Sequence, residues 1–257
     1  MLKFISLFSK NILLISKLIF SKGFLVRFFF PRKENNIMSF LTSQKHLIKN
    51  NGKTLFSIRD MGGSTKSRGV SFFTKEKITV KWIERFNKNA TLIDVGANIG
   101  IYSLYAATLK HTVISIEPES LNFALLNLNI YDNKLNKKIK SFPICFSNKE
   151  SFGYLNINNM NWGKSSHNYS KSLLDHQFAQ GTYAITIDKF CETLNLSPNY
   201  IKIDVDGNEN QVTDGMISQI KKENLISILI EVEINKNYNS INNFFNKYGF
   251  YEVEEEI

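Results

Sequence analysis

From residue 90 onward, short β-branched runs alternate with helical patterns, and this alternation restricts the possible folds more than any other feature of the sequence. Near-continuous apolar strands separated by helices are typical of a parallel sheet covered on both faces. We therefore predict an α/β, Rossmann-like fold with a mostly parallel central sheet. The predicted strands are Thr91–Val95, Thr112–Ile116, Ile139–Cys145, Tyr200–Val205 and Ile226–Val232, and the predicted helices are Ile101–Leu109, Ser120–Tyr131, Asn208–Lys222 and Ser240–Lys247.

The segment before this alternation carries weaker signals. Residues 40–60 are predicted to hold a short helix or turn and then a strand at Lys53–Ile58, which follows the hairpin-type pair Asn51-Gly52. Met61–Gly69 is predicted to be a flexible loop. Thr74–Phe86 has the apolar spacing of a helix.

The net charge of the chain is unevenly distributed. The 257 residues carry a formal charge of +9, which suggests a nucleic-acid or membrane partner. Seven basic residues lie in residues 1–33, before the first acidic residue, Glu34, which leaves only +2 for residues 34–257. The charge therefore favours a local role for the N-terminal segment over a basic nucleic-acid-binding surface.

Residues 1–36 are predicted to be a basic, apolar helical appendage to a domain spanning residues 37–257, with its core from about residue 70. Lys3, Lys10 and Lys17 recur every seven residues, a spacing that drifts by only about 20° per step on a helix. No uncharged stretch approaches the ~20 apolar residues that span a bilayer. Two interpretations remain open, a helix in a membrane interface or one packed on protein. We expect a cytoplasmic protein that can contact the inner face of the membrane through residues 1–30.

Cysteine and histidine spacing predicts no metal site. Cys145 and Cys191 form no CxxC motif, and no two histidines have HxxxH spacing. We expect two small buried thiols.

The strongest motif runs from Asp94 to Gly100 (DVGANIG), between a predicted strand and a predicted helix. Gly96 and Gly100 allow a tight turn and close approach of a ligand, and the helix N-terminus offers free N–H groups. Asp94 can accept from a ligand ammonium or from loop amides. Asn98 is either a turn residue that tolerates left-handed geometry or a cofactor contact.

The following strands predict the nucleoside side of the same site. Glu117 ends the next strand, 17 residues after Gly100, where an acidic side chain receives ribose hydroxyls in nucleoside-binding α/β folds. The segment after the third strand, Phe146-Ser147-Asn148, is expected to meet adenine through Asn148 or Ser147, or to be a plain turn.

With these motifs the sequence resembles the FkbM-type S-adenosylmethionine-dependent methyltransferases. The resemblance rests on three blocks in family order, at 94–103, 116–130 and 200–216, and covers about residues 70–250. It implies a class I methyltransferase fold that binds S-adenosylmethionine and methylates a hydroxyl on a small molecule or glycan. The loop beside the methionine moiety would be formed by Asp94, Gly96, Asn98 and Gly100, with Glu117 on the ribose.

The sequence also departs from the family pattern. Asp206 and Asn208 stand where many members have Glu and Ala. After Tyr248-Gly249-Phe250 only one more short strand is predicted, ending in Glu254–Ile257, so the usual final antiparallel strand is expected to be short or absent.

Candidate catalytic residues follow the fourth strand or lie in a polar loop. Asp204 is placed by the resemblance near the reacting methyl, where it could contact the acceptor, the methionine ammonium or a loop amide. Glu209 is a candidate base or a first-turn acid of its helix. His167, in the loop 161–168, is a candidate base or an ordinary loop residue. Lys202 is expected to be buried and paired, in a structural or a functional role.

Three rival functions share part of this sequence pattern. A nicotinamide dehydrogenase requires GxGxxG, but Asn98 occupies the second glycine position. An RNA methyltransferase is disfavoured by the near-neutral charge of residues 34–257. A membrane-associated, non-catalytic methyltransferase-like protein is disfavoured by the intact Asp94, Gly96, Gly100 and Glu117.

Overall fold

The structure is a computed structural model that describes residues 44–158, 160–165, 167–172, 178–232 and 237–253. Residues 45–257 form one compact unit. The predicted appendage, residues 1–36, lies outside the described residues. Among the helices that are described, none is both long enough and apolar enough to cross a membrane.

The secondary structure confirms the predicted alternation from residue 90. The described strands are β1 (Gln44–Asn50), β2 (Lys53–Asp60), β3 (Thr91–Val95), β4 (Thr112–Ile116), β5 (Ile139–Phe142), β6 (Cys145–Phe146), β7 (Ser151–Ile157), β8 (His167–Ser170), β9 (Phe178–Ile185), β10 (Tyr200–Ile203) and β11 (Ser227–Ile230). The described helices are α1 (Ser64–Val70), α2 (Phe72–Lys75), α3 (Lys77–Glu84), α4 (Ile101–Thr108), α5 (Ser120–Asp132), α6 (Ile187–Thr193), α7 (Glu209–Asp214), α8 (Ile217–Ile220) and α9 (Tyr238–Lys247).

Five of the described strands form the central sheet, in the order β11-β10-β3-β4-β5, and every pair is parallel. The chain runs outward from β3 through β4 to β5, and later adds β10 and β11 on the other side of β3. The strand order therefore reverses between β3 and β10. In sheets of this kind the ligand crevice lies outside the carboxyl ends of the strands at that reversal.

Both faces of the sheet are covered, as a parallel sheet requires. Leu92 and Val113 lie in one apolar cluster, which also contains buried residues of α3, α4 and α5. Ile93 and Ile201 lie in a second cluster with buried residues of α6 and α7. The alternation of side chains along each strand thus assigns neighbouring residues to opposite faces. The predicted α/β class with helices on both faces is confirmed.

The segment before β3 differs from its prediction in two places. Residues 44–50 form a strand, so the predicted short helix or turn is wrong there. The hairpin turn is confirmed because Asn51 and Gly52 both have positive φ, 48° and 77°. The predicted loop at Met61–Gly69 is also wrong, because residues 64–70 are helical. Thr65, fully buried, stabilises this helix by accepting from the Met61 amide and donating to the Gly62 carbonyl.

A second sheet, in the order β6-β9-β7-β8, was not predicted. It arises because the predicted strand at Ile139–Cys145 is interrupted at Pro143, which has no amide to donate, after which β6 pairs with β9.

The predicted helix Asn208–Lys222 is divided at Gly215, where a Cβ would lie 2.2 Å from the Ser147 carbonyl oxygen. Residues 251–253 are not a strand, so that part of the C-terminal prediction is wrong; residues 254–257 lie outside the described part.

Candidate functional site

A row of polar side chains crosses one otherwise apolar face of the central sheet. Asp94 is in register with Ser115 on β4 and with Lys202 on β10. Asp94 is 1% exposed and Lys202 is 3% exposed. The Ser103 hydroxyl on α4 donates to Asp94 Oδ2 over 2.5 Å and lies 2.7 Å from the Ser115 hydroxyl. This polar row lies one residue before the carboxyl ends of its strands.

Lys202 has the partner that a buried lysine needs. Its Nζ lies 2.7 Å from Asp204 Oδ2 and sits over the Tyr102 ring, 5.3 Å from the centroid. Burial lowers the pKa of Lys202, but the carboxylates of Asp204 and Asp94 outweigh burial and raise that pKa above its usual value. The ammonium is therefore charged and is shared electrostatically by both carboxylates.

Asp94 retains an acceptor atom for a further donor. Burial raises the pKa of Asp94, although Lys202 and the hydrogen bond from Ser103 oppose that shift. Its Oδ1 is buried and accepts no hydrogen bond from the described residues. Buried acceptors are normally satisfied, so this oxygen fits the ammonium of an amino-acid ligand beside the Gly96 turn.

Gly96 and Gly100 are required for contacts within the protein. Gly96 has a φ of 76°, and a Cβ there would lie 1.9 Å from the carbonyl oxygen of Asp204. The turn after β3 is therefore pressed against the end of β10. Gly100 has a φ of 83°, and a Cβ there would lie 2.2 Å from Leu126 Cδ1 on α5. The predicted tight turn is confirmed, and the atoms that would meet these two Cβ atoms belong to the protein.

Glu117 lies directly after β4, beside the same turn. Its Oε2 accepts from the Asn98 amide over 2.7 Å, and its Oε1 accepts from the Glu119 amide over 2.9 Å. Burial raises the pKa of Glu117 to about 8, against the lowering effect of these two amides. Each carboxylate oxygen has a second lone pair, so the group can still accept from a vicinal diol.

Asn98 and Asn122 hold the loop 160–165 over this region. Asn98 has a left-handed φ of 52°, and its side chain donates to the Lys164 carbonyl over 2.9 Å. Asn122, 1% exposed, donates to the same carbonyl and accepts from the Gly163 amide. The left-handed φ agrees with the interpretation of Asn98 as a turn residue, and a cofactor contact through its side-chain amide would have to compete with the loop.

A small cavity of about 50 Å³ lies between the Gly96 turn and β8. Its walls include Gly96, Pro118, Phe146, His167 and Val205. Ligand sites for small molecules are typically about 300–1,000 Å³, so walls of this cavity such as β8 must shift if a nucleoside is to fit here.

His167 is half-buried at this cavity. Its Nδ1 is buried and has no hydrogen-bond partner among the described residues, and its backbone amide donates to Asp206 Oδ2 over 3.3 Å. Burial lowers the pKa of His167, with Glu119 and Asp206 opposing. A neutral imidazole at this place can accept a proton or a hydrogen bond.

Two other predicted site residues lie in different surroundings. Glu209 is buried, and its oxygens accept from the Gly207 amide and from the Asn237 side chain, so its contacts favour the interpretation as a first-turn acid over that of a base. Asn148 is exposed and follows β6 of the second sheet, whereas the adenine contact was expected after the third strand of the central sheet.

Sequence reasoning missed several residues at the carboxyl ends of β10 and β11. Glu231 follows β11, and the charge of the nearby Asp204 raises the pKa of Glu231 to about 7. Burial, followed by the neighbouring Glu76, raises the pKa of Tyr102 above its usual value. Arg68 on α1 donates to the Gly163 carbonyl over 3.0 Å. Its positive charge opposes the rise in the pKa of Glu117 and adds to the lowering of the pKa of Asp204 by Lys202. The rule that identified Asp204, a polar residue after a buried strand, could also have identified Glu231.

These features define a class of protein. A glycine turn leads from strand to helix at the reversal of a parallel sheet, and a buried carboxylate ends the next strand. This combination is the arrangement by which α/β proteins bind nucleosides and nucleotides.

The comparisons assign a family within this class. A model described as "Methyltransferase FkbM domain" matches residues 94–251, more than half of the chain, so the chain belongs to the FkbM methyltransferase family. This confirms the resemblance. No curated protein matches the chain significantly.

Several solved methyltransferase structures are similar to the chain at low identity. Methyltransferase FkbM from Methylobacillus flagellatus KT is 18% identical, with a TM-score of 0.39, over 54% of this chain and 32% of its own. A SAM-dependent methyltransferase from Agrobacterium tumefaciens is 12% identical, with a TM-score of 0.45, over 79% of this chain and 57% of its own. The chain therefore covers about a third of the first of these proteins.

Proposed function

We propose that this protein is an S-adenosylmethionine-dependent methyltransferase that methylates a hydroxyl group on a small molecule or glycan. The observation that carries the proposal is the position of Asp94, the Gly96 turn and Glu117 along one edge of the sheet, inside the segment that matches the FkbM domain. S-adenosylmethionine supplies a methyl group that is already activated for transfer.

The residues of the site fit the parts of this cofactor. The ribose diol would donate to Glu117, and the methionine ammonium would donate to the unpartnered Oδ1 of Asp94. Arg68 is a cation close enough to Glu117 and Asp204 to affect both carboxyls, and it is suited to the methionine carboxylate. Asn148 or Ser147 is proposed for adenine, as before, after movement of the covering loop.

Methyl transfer needs alignment of two reactants and exclusion of water more than it needs covalent help from the protein. The loop 160–165, held by Asn98 and Asn122, supplies a cover. The Asp204 carbonyl lies against Gly96, and His167 lines a cavity together with Gly96, so both residues are candidates for contact with the reacting groups. Glu209 is proposed as an anchor of α7.

We expect wild-type protein to bind S-adenosylmethionine, and not NADH, in calorimetry at pH 7. Asp94→Asn should weaken this binding by roughly 10- to 100-fold, because it removes a charge-assisted hydrogen bond to the ammonium. Asparagine keeps the shape of the buried side chain, which alanine would not. The matched control is Asp214→Asn, at an exposed position at the end of α7.

Equal affinity of Asp94→Asn and Asp214→Asn would contradict the assignment of Asp94. Binding of NADH in place of S-adenosylmethionine would favour the dehydrogenase, and absence of binding to either would favour a non-catalytic protein. Binding of a structured RNA at physiological salt would favour the RNA methyltransferase. The charge of +2 on residues 34–257 argues against that function.

We further propose that residues 1–30 make a peripheral membrane contact at the cytoplasmic face. The support is the sequence alone, an apolar segment within which Lys3, Lys10 and Lys17 follow one helical stripe. Full-length protein should float with anionic liposomes, and protein that begins at residue 34 should not. Equal flotation of the two proteins would refute the contact.

A further inference from the structure

A second, larger cavity of about 370 Å³ opens at the carboxyl ends of β10 and β11. Its size is in the range of small-molecule sites. The segment that joins α2 to α3 forms one wall, and the strand ends form the other. Its charged lining residues are Lys75, Glu76, Lys77, Lys202, Asp204 and Glu231.

The strand order relates this cavity to the reacting methyl group. Glu117 ends β4, the Gly96 turn ends β3, Asp204 follows β10 and Glu231 follows β11, so these residues succeed one another along the edge of the sheet. A cofactor whose ribose lies at Glu117 and whose amino acid lies at Gly96 extends toward β10. The acceptor must then come from the far side, over β10 and β11, where the cavity opens.

We propose that this cavity receives the acceptor and that Glu231 is the catalytic residue that takes the proton of its hydroxyl, an inference that rests on the proposed methyltransferase function. Asp204 and Lys202 are positioning residues in this scheme. As the new O–C bond forms, the C–S bond breaks with its electron pair staying on sulfur. The hydroxyl proton passes to the carboxylate of Glu231, so the acceptor leaves as a neutral ether.

The surroundings of Glu231 suit this task. Glu231 is exposed and lines the cavity together with Asp204, which follows the neighbouring strand. Lys202 keeps Asp204 ionised by lowering its pKa. Repulsion from Asp204, followed by burial, then raises the pKa of Glu231 to about 7, with Glu76 adding to this and Lys202 opposing it. A general base is most effective when its pKa is near the working pH.

The test compares two ligands that differ in one charge. S-adenosylmethionine carries a sulfonium, whereas S-adenosylhomocysteine has a neutral sulfur and keeps the same ammonium and carboxylate. A sulfonium beside Glu231 lowers the pKa of that carboxyl. If the pKa falls from about 7 to about 6, binding at pH 7 releases roughly 0.4 proton. Calorimetry in two buffers of different ionisation enthalpy measures this release.

We expect wild-type protein to release about 0.4 proton more with S-adenosylmethionine than with S-adenosylhomocysteine at pH 7. At pH 9 this difference should vanish, because Glu231 is already ionised. Glu231→Gln should abolish the difference at pH 7 while its affinity for S-adenosylhomocysteine stays within about twofold of wild type. Glu223→Gln, at an exposed position before β11, should behave as wild type.

Three other results would contradict either the inference or the proposed function. A difference that persists in Glu231→Gln overturns the inference, since another group then senses the sulfonium. Equal proton release with both ligands in wild type also overturns it. In that case the carboxyls of Glu231 and Asp204 respond only to the ammonium, which both ligands carry, or to neither charge. Failure of both ligands to bind wild type instead refutes the proposed function.

Discussion

Lys202→Met should lower the free energy of unfolding by roughly 3 kcal/mol at pH 7, measured by urea denaturation. Removing one partner of a buried ion pair costs about 3–5 kcal/mol, because the remaining charge is left without compensation. The side chain of Asp204 is 33% exposed, so water can partly solvate its charge, and we expect the lower end of this range. A cost remains because Asp94, the second carboxylate near Lys202, is almost wholly buried. Methionine fills a similar volume, so loss of packing contributes little.

The pH dependence of this deficit identifies its cause. Without the ammonium, the pKa of Asp94 in the folded protein rises further above its unfolded value. A carboxyl with a raised folded pKa stabilises the protein below the unfolded pKa, and that contribution is lost as pH rises through the folded pKa. The deficit of the variant should therefore be smaller at pH 5 than at pH 8.

Lys189→Met is the matched control for this substitution. Lys189 pairs with Glu192 over 2.9 Å, but both side chains are largely exposed. Exposed pairs contribute about 0–1 kcal/mol, so this variant should unfold close to wild type at every pH. A deficit in Lys202→Met as small as that of Lys189→Met would mean that Lys202 does not hold the two carboxylates.

Gly96→Ala should abolish measurable binding of S-adenosylmethionine and destabilise the protein by about 2–5 kcal/mol. The left-handed φ of 76° costs a non-glycine residue roughly 1–2 kcal/mol. The new Cβ would also overlap the Asp204 carbonyl oxygen at 1.9 Å, and overpacking of this kind costs typically about 1–3 kcal/mol. To relieve this overlap, the turn must move away from the end of β10. That movement would separate Gly96 from Asp204 and so disturb the proposed cofactor site.

Gly181→Ala is the corresponding control, because nothing lies within 4 Å of a Cβ at that position on β9 and its φ is not left-handed. Its unfolding and its calorimetric titration should match those of wild type within about 0.5 kcal/mol. Wild-type affinity for S-adenosylmethionine in Gly96→Ala would show that the contact between the turn and β10 is not needed for the site.

The proposed cofactor side of the site could be predicted because it depends on local sequence. A β-branched run, a glycine turn and a helix must follow one another within about ten residues for a ligand to meet the turn, so Asp94, Gly96, Gly100 and Glu117 are visible in the sequence. The predictions failed where local propensity was overruled by tertiary packing. The segment 61–69 looks like a flexible loop, yet Thr65 is fully buried and a helix forms there.

The proposed acceptor side depends on residues distant in sequence. Glu76, Asp204 and Glu231 come from three separate segments, and only the parallel pairing of β10 with β3 and β11 brings the two strand ends together. The partner of Lys202 was uncertain in the sequence for the same reason. Strand register decides which charges become neighbours, and the pKa values of Asp204 and Glu231 follow from that neighbourhood.

The sequence by itself therefore determined the alternation of strands and helices, the glycine turn after β3 and the family. Short-range spacing encodes these features, because a turn and its flanking elements involve few residues. Only the tertiary structure shows that Gly96 lies against the Asp204 carbonyl and Gly100 against the Leu126 side chain. It also shows that Glu209 accepts from the Gly207 amide and that Glu231 and Asp204 line one cavity. These outcomes depend on the order of strands in the sheet, which local sequence does not specify.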